Sequence, residues 1–133
     1  FILGFLNIMS KQIIHTDDAP AAVGTYSQAV KVGDTIYISG QLGLDPKTMT
    51  LKEGFKAQAE QAMDNLQAIA KAAGGSLSDV VKFNVSLTDL SDFATLNEVF
   101  DACLNAPPAR APVQVAALPK GGVVEIEAIL HLS

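Results

Sequence analysis

The chain has few of the residues that mark several common classes of protein. Its 133 residues include one cysteine and no tryptophan, and its formal net charge is −5. A lone cysteine excludes an internal disulfide and a cysteine-rich zinc framework, and it fits a reducing compartment such as the cytoplasm, where we expect the protein to reside. The negative charge and the lack of a basic cluster make nucleic acid an unlikely partner by simple electrostatics.

Several sequence motifs are missing as well. No apolar run approaches the roughly 20 residues that a bilayer span needs, so we expect no membrane association. The chain has no G-x-G-x-x-G, P-loop, G-x-S-x-G or H-E-x-x-H motif, which argues against dinucleotide, nucleotide and common hydrolase sites. His15 and His131 stand near opposite ends of the chain with no third ligand in a recognisable pattern, so we expect no metal site.

The first eight residues are almost entirely apolar and precede Met9, after which polar residues resume. They lack the basic n-region, the length and the small-residue cleavage site of a secretory signal. We therefore interpret residues 1–8 as an apolar leader outside the natural start, and residues 9–133 as one domain. We expect the leader to pack on protein, most simply on a neighbouring chain, and to be dispensable for function.

Local patterns predict eight elements in the order βββαβαββ. The first strand is expected near residues 12–15. A Gly-Asp pair at 33–34 separates two β-rich runs, at 28–32 and 35–40, and this arrangement predicts a hairpin.

Two amphipathic helices are predicted in the middle of the chain. Apolar residues recur at helical spacing over residues 55–73, and two glycines at 74–75 provide a stop. The second helix follows a Ser-Asp pair at 91–92 and ends before two prolines at 107–108. Its apolar stripe is predicted to contain Phe93, Leu96, Phe100 and Cys103. We expect Cys103 to be a buried filler, because no basic residue lies near it in sequence to lower its pKa.

Three further strands follow from alternating polarity, each with one set of side chains facing the core. The predicted core sets are Val81, Phe83, Val85 and Leu87; then Val113, Val115 and Ala117; and finally Val124, Ile126, Ala128 and Leu130. This order predicts an α+β fold with one sheet and both helices on one face. The other face would carry Tyr37, Val123, Ile129 and one or both of Val30 and Val32, which is too apolar for open water. A homo-oligomer that covers this face is therefore expected.

Arg110 is the only arginine among nine basic residues, and it stands where a Pro-Pro-Ala turn enters a strand. A planar guanidinium can hold a carboxylate through two parallel hydrogen bonds, which makes Arg110 a candidate anion-binding residue; the alternative is a structural ion pair or a surface charge. Glu125 and Glu127 alternate with core residues and should project from the face opposite the helices. They are candidate site carboxylates if that face is covered, and an ordinary solvated strand face otherwise.

Two further positions could line a pocket. Tyr26 follows a glycine-containing bend just before a strand, where its phenol could form a rim or simply pack. Ser39-Gly40-Gln41 ends a β-rich run, and a glycine there would let a ligand approach the backbone, although the same residues could form a bulge.

Taken in order, these segments resemble the sequence blocks of the RidA/YjgF family. The resemblance runs from Met9 to about Leu130, and the Pro-Ala-Arg and Val-Glu-Ile-Glu blocks are specific in combination. The matching blocks are APAAVGTYSQA at 19–29, SGQ at 39–41, DNL at 64–66, DFA at 92–94, PAR at 108–110 and VEIEA at 124–128.

The resemblance implies a chorismate-mutase-like α+β fold, with a single mixed sheet that trimerises into a central barrel and leaves clefts between subunits. It implies hydrolysis of reactive enamines and imines, such as 2-aminoacrylate and 2-iminobutanoate, to 2-oxo acids and ammonia without a cofactor or metal. Carried over by position, the family's carboxylate-binding arginine is Arg110, its water-positioning glutamate Glu125 and its cleft tyrosine Tyr26. Its backbone-contact glycine is Gly40, beside Ser39, and these two residues are expected to contact the substrate.

Two other functions remain open from the sequence. The family also includes proteins described as endoribonucleases and inhibitors of translation, although the negative charge and the single arginine count against RNA as a substrate. A non-enzymatic trimer that binds small carboxylates, or that acts like a chaperone through its apolar surface, is the third possibility.

Overall fold

In the computed structural model, residues 10–133 are described, and they form one mixed six-stranded sheet with two α-helices and three short 3₁₀ helices at Leu77–Asp79, Leu90–Asp92 and Pro119–Gly121. The leader predicted at residues 1–8 lies outside the described residues. The strands, in chain order, are Gln12–Ile14 (β1), Ala29–Val32 (β2), Thr35–Leu42 (β3), Val80–Leu87 (β4), Ala109–Gln114 (β5) and Val124–His131 (β6). The α-helices are Phe55–Ala72 (α1), between β3 and β4, and Phe93–Cys103 (α2), between β4 and β5. The predicted order βββαβαββ is confirmed.

The strands lie side by side in the order β1-β2-β3-β6-β4-β5. All neighbouring pairs are antiparallel except β4 and β5, which are parallel and joined through α2. The predicted hairpin is present, with Val32 opposite Thr35 across a two-residue turn in which Gly33 has a φ of 58°. Glycine adopts this left-handed conformation without the steric cost that other residues carry.

Both helices cover the same face of the sheet, as predicted. One continuous core contains the inward side chains of both helices and of the central strands, among them Leu66 from α1, Phe83 from β4 and Phe100 from α2. The rings of Phe83 and Phe100 are 5.0 Å apart in a tilted arrangement. On β6, Val124, Ile126, Ala128 and Leu130 are all buried, which confirms the predicted alternation.

Within residues 10–133, no helix lies on the opposite face of the sheet. It exposes about half of the Tyr37 side chain (52%), next to Val30 and Ile129 on the neighbouring strands. We call this surface the open face. Among residues 10–133, neither helix is long and apolar enough to cross a membrane.

Two strand predictions were wrong in detail. Val81 is 48% exposed rather than buried, because the pairing of β4 with β6 slips between Val80 and Lys82, and this irregularity turns Val81 away from the core. Val113 and Ala117 are exposed rather than facing the core, and the strand predicted around Val113, Val115 and Ala117 instead starts at Ala109 and ends at Gln114. Its position is set by parallel pairing with β4 rather than by its own polarity pattern.

Predictions for α2 also need correction. Leu96, Val99 and Phe100 face the core, whereas Phe93 is 39% exposed and Cys103 is exposed at the end of the helix. Cys103 is therefore not a buried filler. Partial desolvation and the negative charges of Asp64 and Glu60 raise the pKa of its thiol, which disfavours the reactive thiolate.

Candidate functional site

The open side of the sheet carries a cavity of about 530 Å³ beside the end of β3. We call it the Glu125 cavity. Of the five residues to which the family resemblance assigns a role, four line it, namely Tyr26, Ser39, Gly40 and Glu125, and the second candidate carboxylate, Glu127, lines it as well. The fifth, Arg110, does not.

A β-bulge shapes the wall of this cavity. Ile38 is opposite Ala128 and Gln41 is opposite Ile126, so β3 has one more residue than β6 over this stretch. The extra residue falls at Ser39-Gly40, where the sequence left a strand end and a bulge as alternatives. The strand itself continues to Leu42. Bulges bend a strand and redirect its side chains, and this one lies directly beside Glu125.

Gly40 gives the Glu125 side chain its space. A Cβ atom added at Gly40 would lie 2.8 Å from Cδ and 3.0 Å from Oε1 of Glu125, closer than ordinary van der Waals contact. The carboxylate is therefore packed over the glycine backbone. Sequence reasoning expected an open approach to the backbone at Gly40, and in this structure the group that uses the opening is Glu125 itself.

Glu125 is partly buried, and its protonation reflects that environment. Desolvation raises the pKa of the carboxyl group above its ordinary value, and the nearby negative charge of Glu127 raises it further. Glu127 itself accepts a hydrogen bond from Nδ2 of Asn84 at 3.0 Å, across the β4–β6 pair. A carboxyl group with a raised pKa is a better proton acceptor when ionised, which suits it to exchange protons with a bound water.

Tyr26 is held at the rim by the bend that precedes β2. Gly24 has a φ of 116°, which only glycine adopts readily, and the Tyr26 ring folds back alongside it. The phenol oxygen accepts a long hydrogen bond from the backbone N–H of Val23, at 3.4 Å. The side chain remains 51% exposed, so its hydroxyl can still donate to a ligand.

Ser39 links the bulge to the same bend. Its hydroxyl donates to the carbonyl oxygen of Ser27 at 2.6 Å, and its backbone N–H donates to the carbonyl of Gln28 at 2.9 Å. The hydroxyl proton is thus engaged in the fold, and the oxygen keeps acceptor capacity toward the cavity.

Arg110 lines a second cavity of about 350 Å³, which we call the Arg110 cavity, between β5 and the end of α2. Its guanidinium carbon lies 5.2 Å from the centre of the Phe93 ring and 5.3 Å from that of Phe100. These distances are typical of cation–π contacts. Within the described part of the chain, no carboxylate forms an ion pair with Arg110.

Arg110 and Glu125 lie on opposite faces of the sheet. Arg110 is opposite Phe83 of β4, and Phe83 faces the helices, whereas Glu125 is opposite Ser86 of the same strand. Side chains three residues apart on a strand point to opposite faces, so β4 separates the two groups. One copy of the chain therefore does not bring both to one cavity.

Both cavities contain residues that the sequence reasoning missed. Asn97 and Asp101 line the Arg110 cavity, one and two helical turns after Phe93, and this spacing of four could have identified them. Met49 lines the Glu125 cavity from a loop and Lys120 from the short 3₁₀ helix Pro119–Gly121, where no periodicity operates.

Histidine and metal-ligand clusters are not features of this site. His15 contacts Asp17 at 3.0 Å near the chain start, and His131 is 3.4 Å from the hydroxyl of Thr35 at the end of β6. Within residues 10–133, no group of three or more histidine, cysteine, aspartate or glutamate side chains is placed to hold a metal ion.

Comparison with known proteins adds to this geometry. The family model described as Endoribonuclease L-PSP matches residues 16–132. A Bos taurus protein named 2-iminobutanoate/2-iminopropanoate deaminase is 53% identical over 126 residues, covering 93% of this chain and 92% of that protein.

Solved structures show the same fold. RidA from the Antarctic bacterium Psychrobacter sp. PAMC 21119 superimposes with a TM-score of 0.90 at 78% identity, covering 91% of this chain and 99% of that one. TdcF from E. coli, solved with bound serine, gives a TM-score of 0.87 at 44% identity, covering 92% and 99% of the two chains.

Proposed function

The chain belongs to the RidA/YjgF family, described also as Endoribonuclease L-PSP, and on that premise we propose that it hydrolyses reactive enamines and imines to 2-oxo acids and ammonia. The proposed substrates are small 2-imino carboxylates such as 2-iminobutanoate, together with 2-aminoacrylate, which reaches the same chemistry through its imine form. The reaction requires no cofactor in this proposal, because an imine carbon is already electrophilic. We place the protein in the cytoplasm, in keeping with its single cysteine.

The observation that carries the proposal is the environment of Glu125. Its carboxyl group lies in an open cavity, packed over a glycine, with a raised pKa caused by desolvation and by Glu127. Such a group can orient a water and accept its proton as the water oxygen bonds to the imine carbon. Glu125 passes this proton to the imine nitrogen, which gives a neutral carbinolamine. The carbinolamine hydroxyl then loses its proton to Glu125, that proton moves to the amino nitrogen, and the carbon–nitrogen bond breaks to leave the 2-oxo acid and ammonia.

Arg110 supplies the second function in this proposal. Its guanidinium is preorganised against two aromatic rings and is not neutralised by a carboxylate within residues 10–133. A planar guanidinium binds a carboxylate through two parallel hydrogen bonds, which would fix the substrate and place its imine carbon near the water. The bound serine in the E. coli relative shows that a protein of this family takes a small amino carboxylate.

The placement of these groups supports an assembly in which neighbouring copies share each site. Arg110 stands on the edge strand β5, where another copy can approach, and the Glu125 cavity opens beside the exposed open face. We propose a homotrimer whose open faces form a central barrel, with the Arg110 cavity of one copy against the Glu125 cavity of the next. Tyr26, Ser39 and Gly40 would then complete the site around the substrate.

Imine hydrolysis is tested with an amino-acid oxidase that generates imines from a panel of amino acids in the presence of semicarbazide. The protein should suppress semicarbazone formation and release ammonia, and Glu125→Gln should not. Binding of 2-oxobutanoate without any turnover would support the carboxylate-binding alternative instead. RNA cleavage that survives removal of contaminating nuclease and disappears in Arg110→Ala would support the endoribonuclease alternative.

The shared site is tested by mixing two inactive chains. Arg110→Ala and Glu125→Gln should each be inactive alone, but their co-expressed mixture should regain turnover, because some clefts then receive both wild-type groups. Light scattering should give about three times the 13.9 kDa chain mass. A stable monomer, or a mixture that stays inactive although the chains co-assemble, would contradict the shared site.

A further inference from the structure

Two residues outside the strands and α-helices line the Glu125 cavity and adopt a backbone conformation that normally favours glycine. Met49 has a φ of 58° and Lys120 a φ of 60°, and within residues 10–133 these are the non-glycine residues with positive φ. Both line the cavity. Left-handed backbone is strained for residues with a Cβ atom, and such strain concentrates at ligand sites.

Of the two, Met49 is the residue with an apolar side chain. It is partly buried, whereas its neighbours Thr48 and Thr50 are exposed, and Lys120 is exposed as well. The flexible, polarisable thioether of methionine adapts well to apolar ligands of different shapes. A non-glycine residue that lines the cavity from a strained position is hard to explain by folding alone, since glycine would fold there at lower cost.

The loop that carries Met49 is internally rigid. The Met49 N–H donates to the carbonyl of Asp45 at 2.8 Å, and the Asp45 N–H donates to the carbonyl of Thr50 at 2.9 Å. The Asp45 carboxylate accepts from the backbone N–H of Lys47 at 2.8 Å and of Thr48 at 3.3 Å. Met49 is therefore presented by a fixed turn, as specificity in a binding site requires.

A buried glutamine fixes this loop relative to β6. Gln58 of α1 is 6% exposed; its Nε2 donates to the carbonyl of Lys52 at 3.0 Å, and its Oε1 accepts from the N–H of Val123 at 3.0 Å. Lys52 lies three residues after Met49 in the segment between β3 and α1, and Val123 directly precedes β6, the strand that carries Glu125. The position of Met49 relative to Glu125 is thus set by a hydrogen-bonded link through the core.

We propose that Met49 is a specificity-determining residue, which forms the wall of the Glu125 cavity against which the apolar side chain of a 2-imino or 2-oxo acid packs. The inference rests on the proposed function for the chemical class of the ligand. With the carboxylate end held at Arg110 of the neighbouring copy and the reacting carbon at Glu125, the remaining part of the ligand is its side chain. Ala21 and Leu44 extend the same apolar lining.

The test compares two ligands that differ in side-chain size, 2-oxobutanoate and 4-methyl-2-oxopentanoate, by calorimetry on wild type and variants. Met49→Gly should reduce the affinity for the larger oxo acid relative to the smaller by about 10-fold, because the apolar contact is lost. Thr48→Gly, which loosens the same loop at a residue outside the cavity lining, should leave the ratio within about twofold. Met49→Leu, which keeps an apolar side chain, should preserve the ratio.

Measurements of thermal unfolding and of imine turnover separate a specificity role of Met49 from a loss of stability and from a failure of the proposed function. Met49→Gly should unfold at the same temperature as wild type or higher, since glycine removes the backbone strain, so a changed ratio would not reflect a damaged fold. If the wild type binds oxo acids but hydrolyses no imine, the proposed function fails while the affinity ratio still decides the role of Met49. An unchanged ratio in Met49→Gly, or a wild type that binds neither oxo acid, would overturn the inference.

Discussion

Gly40 and Glu125 share one volume, because the glutamate side chain occupies the space that a Cβ atom at position 40 would need. The Gly40 backbone does not require glycine for its conformation, since it is not among the glycines with positive φ. The nearest atoms to such a Cβ all belong to the Glu125 side chain, at 2.8–3.0 Å. Glycine at this position therefore serves the placement of the carboxylate rather than the folding of β3.

Gly40→Ala should displace the Glu125 carboxylate and reduce kcat by about 10-fold or more, since small misplacements of a reacting group are costly. The loss of stability should be small, because the contact is with the far end of a flexible side chain. Steady-state kinetics and thermal unfolding measure the two effects. Glu125→Asp, which shortens the side chain, should reduce the additional cost of Gly40→Ala, and a fully additive double mutant would contradict the shared volume.

Gly43→Ala should behave differently and lower the stability of the protein. A Cβ atom at Gly43 would clash with the backbone Cα and carbonyl oxygen of Gln58 in α1, and backbone atoms cannot rotate away. We expect a loss of about 1–3 kcal/mol in the free energy of unfolding, typical of overpacking. Denaturant unfolding measures it, and a variant as stable as Gly40→Ala would show that α1 is less firmly placed than the contact implies.

Glu125→Gln should reduce kcat by about 10²- to 10⁴-fold, because the amide preserves the size of the side chain but cannot accept a proton from water. Binding of 2-oxobutanoate should be retained or improved, because the desolvated negative charge is gone. Calorimetry and semicarbazide competition measure the two properties on the same preparation. Turnover at the wild-type rate would remove Glu125 from the mechanism.

Arg110→Lys should reduce kcat/KM by about 10- to 100-fold, mainly through KM, because lysine keeps the charge but loses the two-pronged contact with a carboxylate. The cation–π contacts with Phe93 and Phe100 would also weaken. The matched control is Lys56→Arg in α1, an exposed residue that lines neither cavity, and it should have wild-type kinetics. An effect confined to kcat would assign Arg110 a role in the chemical step instead of binding.

The pH dependence of activity should change when the negative charge of Glu127 is removed. Glu125 acts as a base only when ionised, so kcat/KM should rise with pH as its carboxyl group, with its raised pKa, loses a proton. Glu127→Gln removes one cause of that raised pKa and should move the acid limb of the profile to lower pH. An unmoved limb would mean that another group controls it.

Ionisation of Glu125 should also affect stability, but in the opposite direction: the pH rise that increases activity should lower the free energy of unfolding. The pKa of Glu125 in the folded chain is raised above the ordinary value of 4.5, so the folded state binds more protons than the unfolded state between these two pKa values. The relative stability of wild type is greatest below the unfolded pKa and falls as pH rises through the folded pKa. Glu125→Gln should therefore unfold at a higher temperature than wild type near neutral pH, and the difference should shrink in acid.

The sequence predicted those parts of the fold that local periodicity controls. Polarity alternates cleanly along β6, and both the buried set and the outward position of Glu125 follow from it. Val81 was misplaced because an irregularity in pairing depends on the partner strand, which no local pattern records. The bounds of β5 were misjudged for the same reason, since parallel pairing with β4 sets them.

The candidate site was predicted in composition but not in arrangement. Tyr26, Ser39, Gly40 and Glu125 lie together in one cavity, and their catalytic and binding roles stay predictions. Arg110 is separated from them because the pairing of β5 and of β6 with β4 places their side chains on different faces of the sheet. Strand pairing joins residues far apart in sequence, so local patterns do not predict it. Met49 escaped notice because a strained loop residue carries no signal in hydropathy or spacing.

The placement of Arg110 and Glu125 on opposite faces of the sheet also determines how a mutation in one chain would affect the other chains of the proposed trimer. In the proposed trimer each chain gives its arginine to one cleft and its glutamate to another, so a single chain lacking both groups would silence two clefts and leave one working. A chain without the arginine and a chain without the glutamate would instead form a working cleft where the remaining arginine of one meets the remaining glutamate of the other. The activity of a trimer that contains mutant chains would therefore depend on how many clefts keep both groups, and not simply on how many chains are wild type. Whether one mutation dominates or two mutations compensate each other follows from the face of the sheet on which each side chain lies.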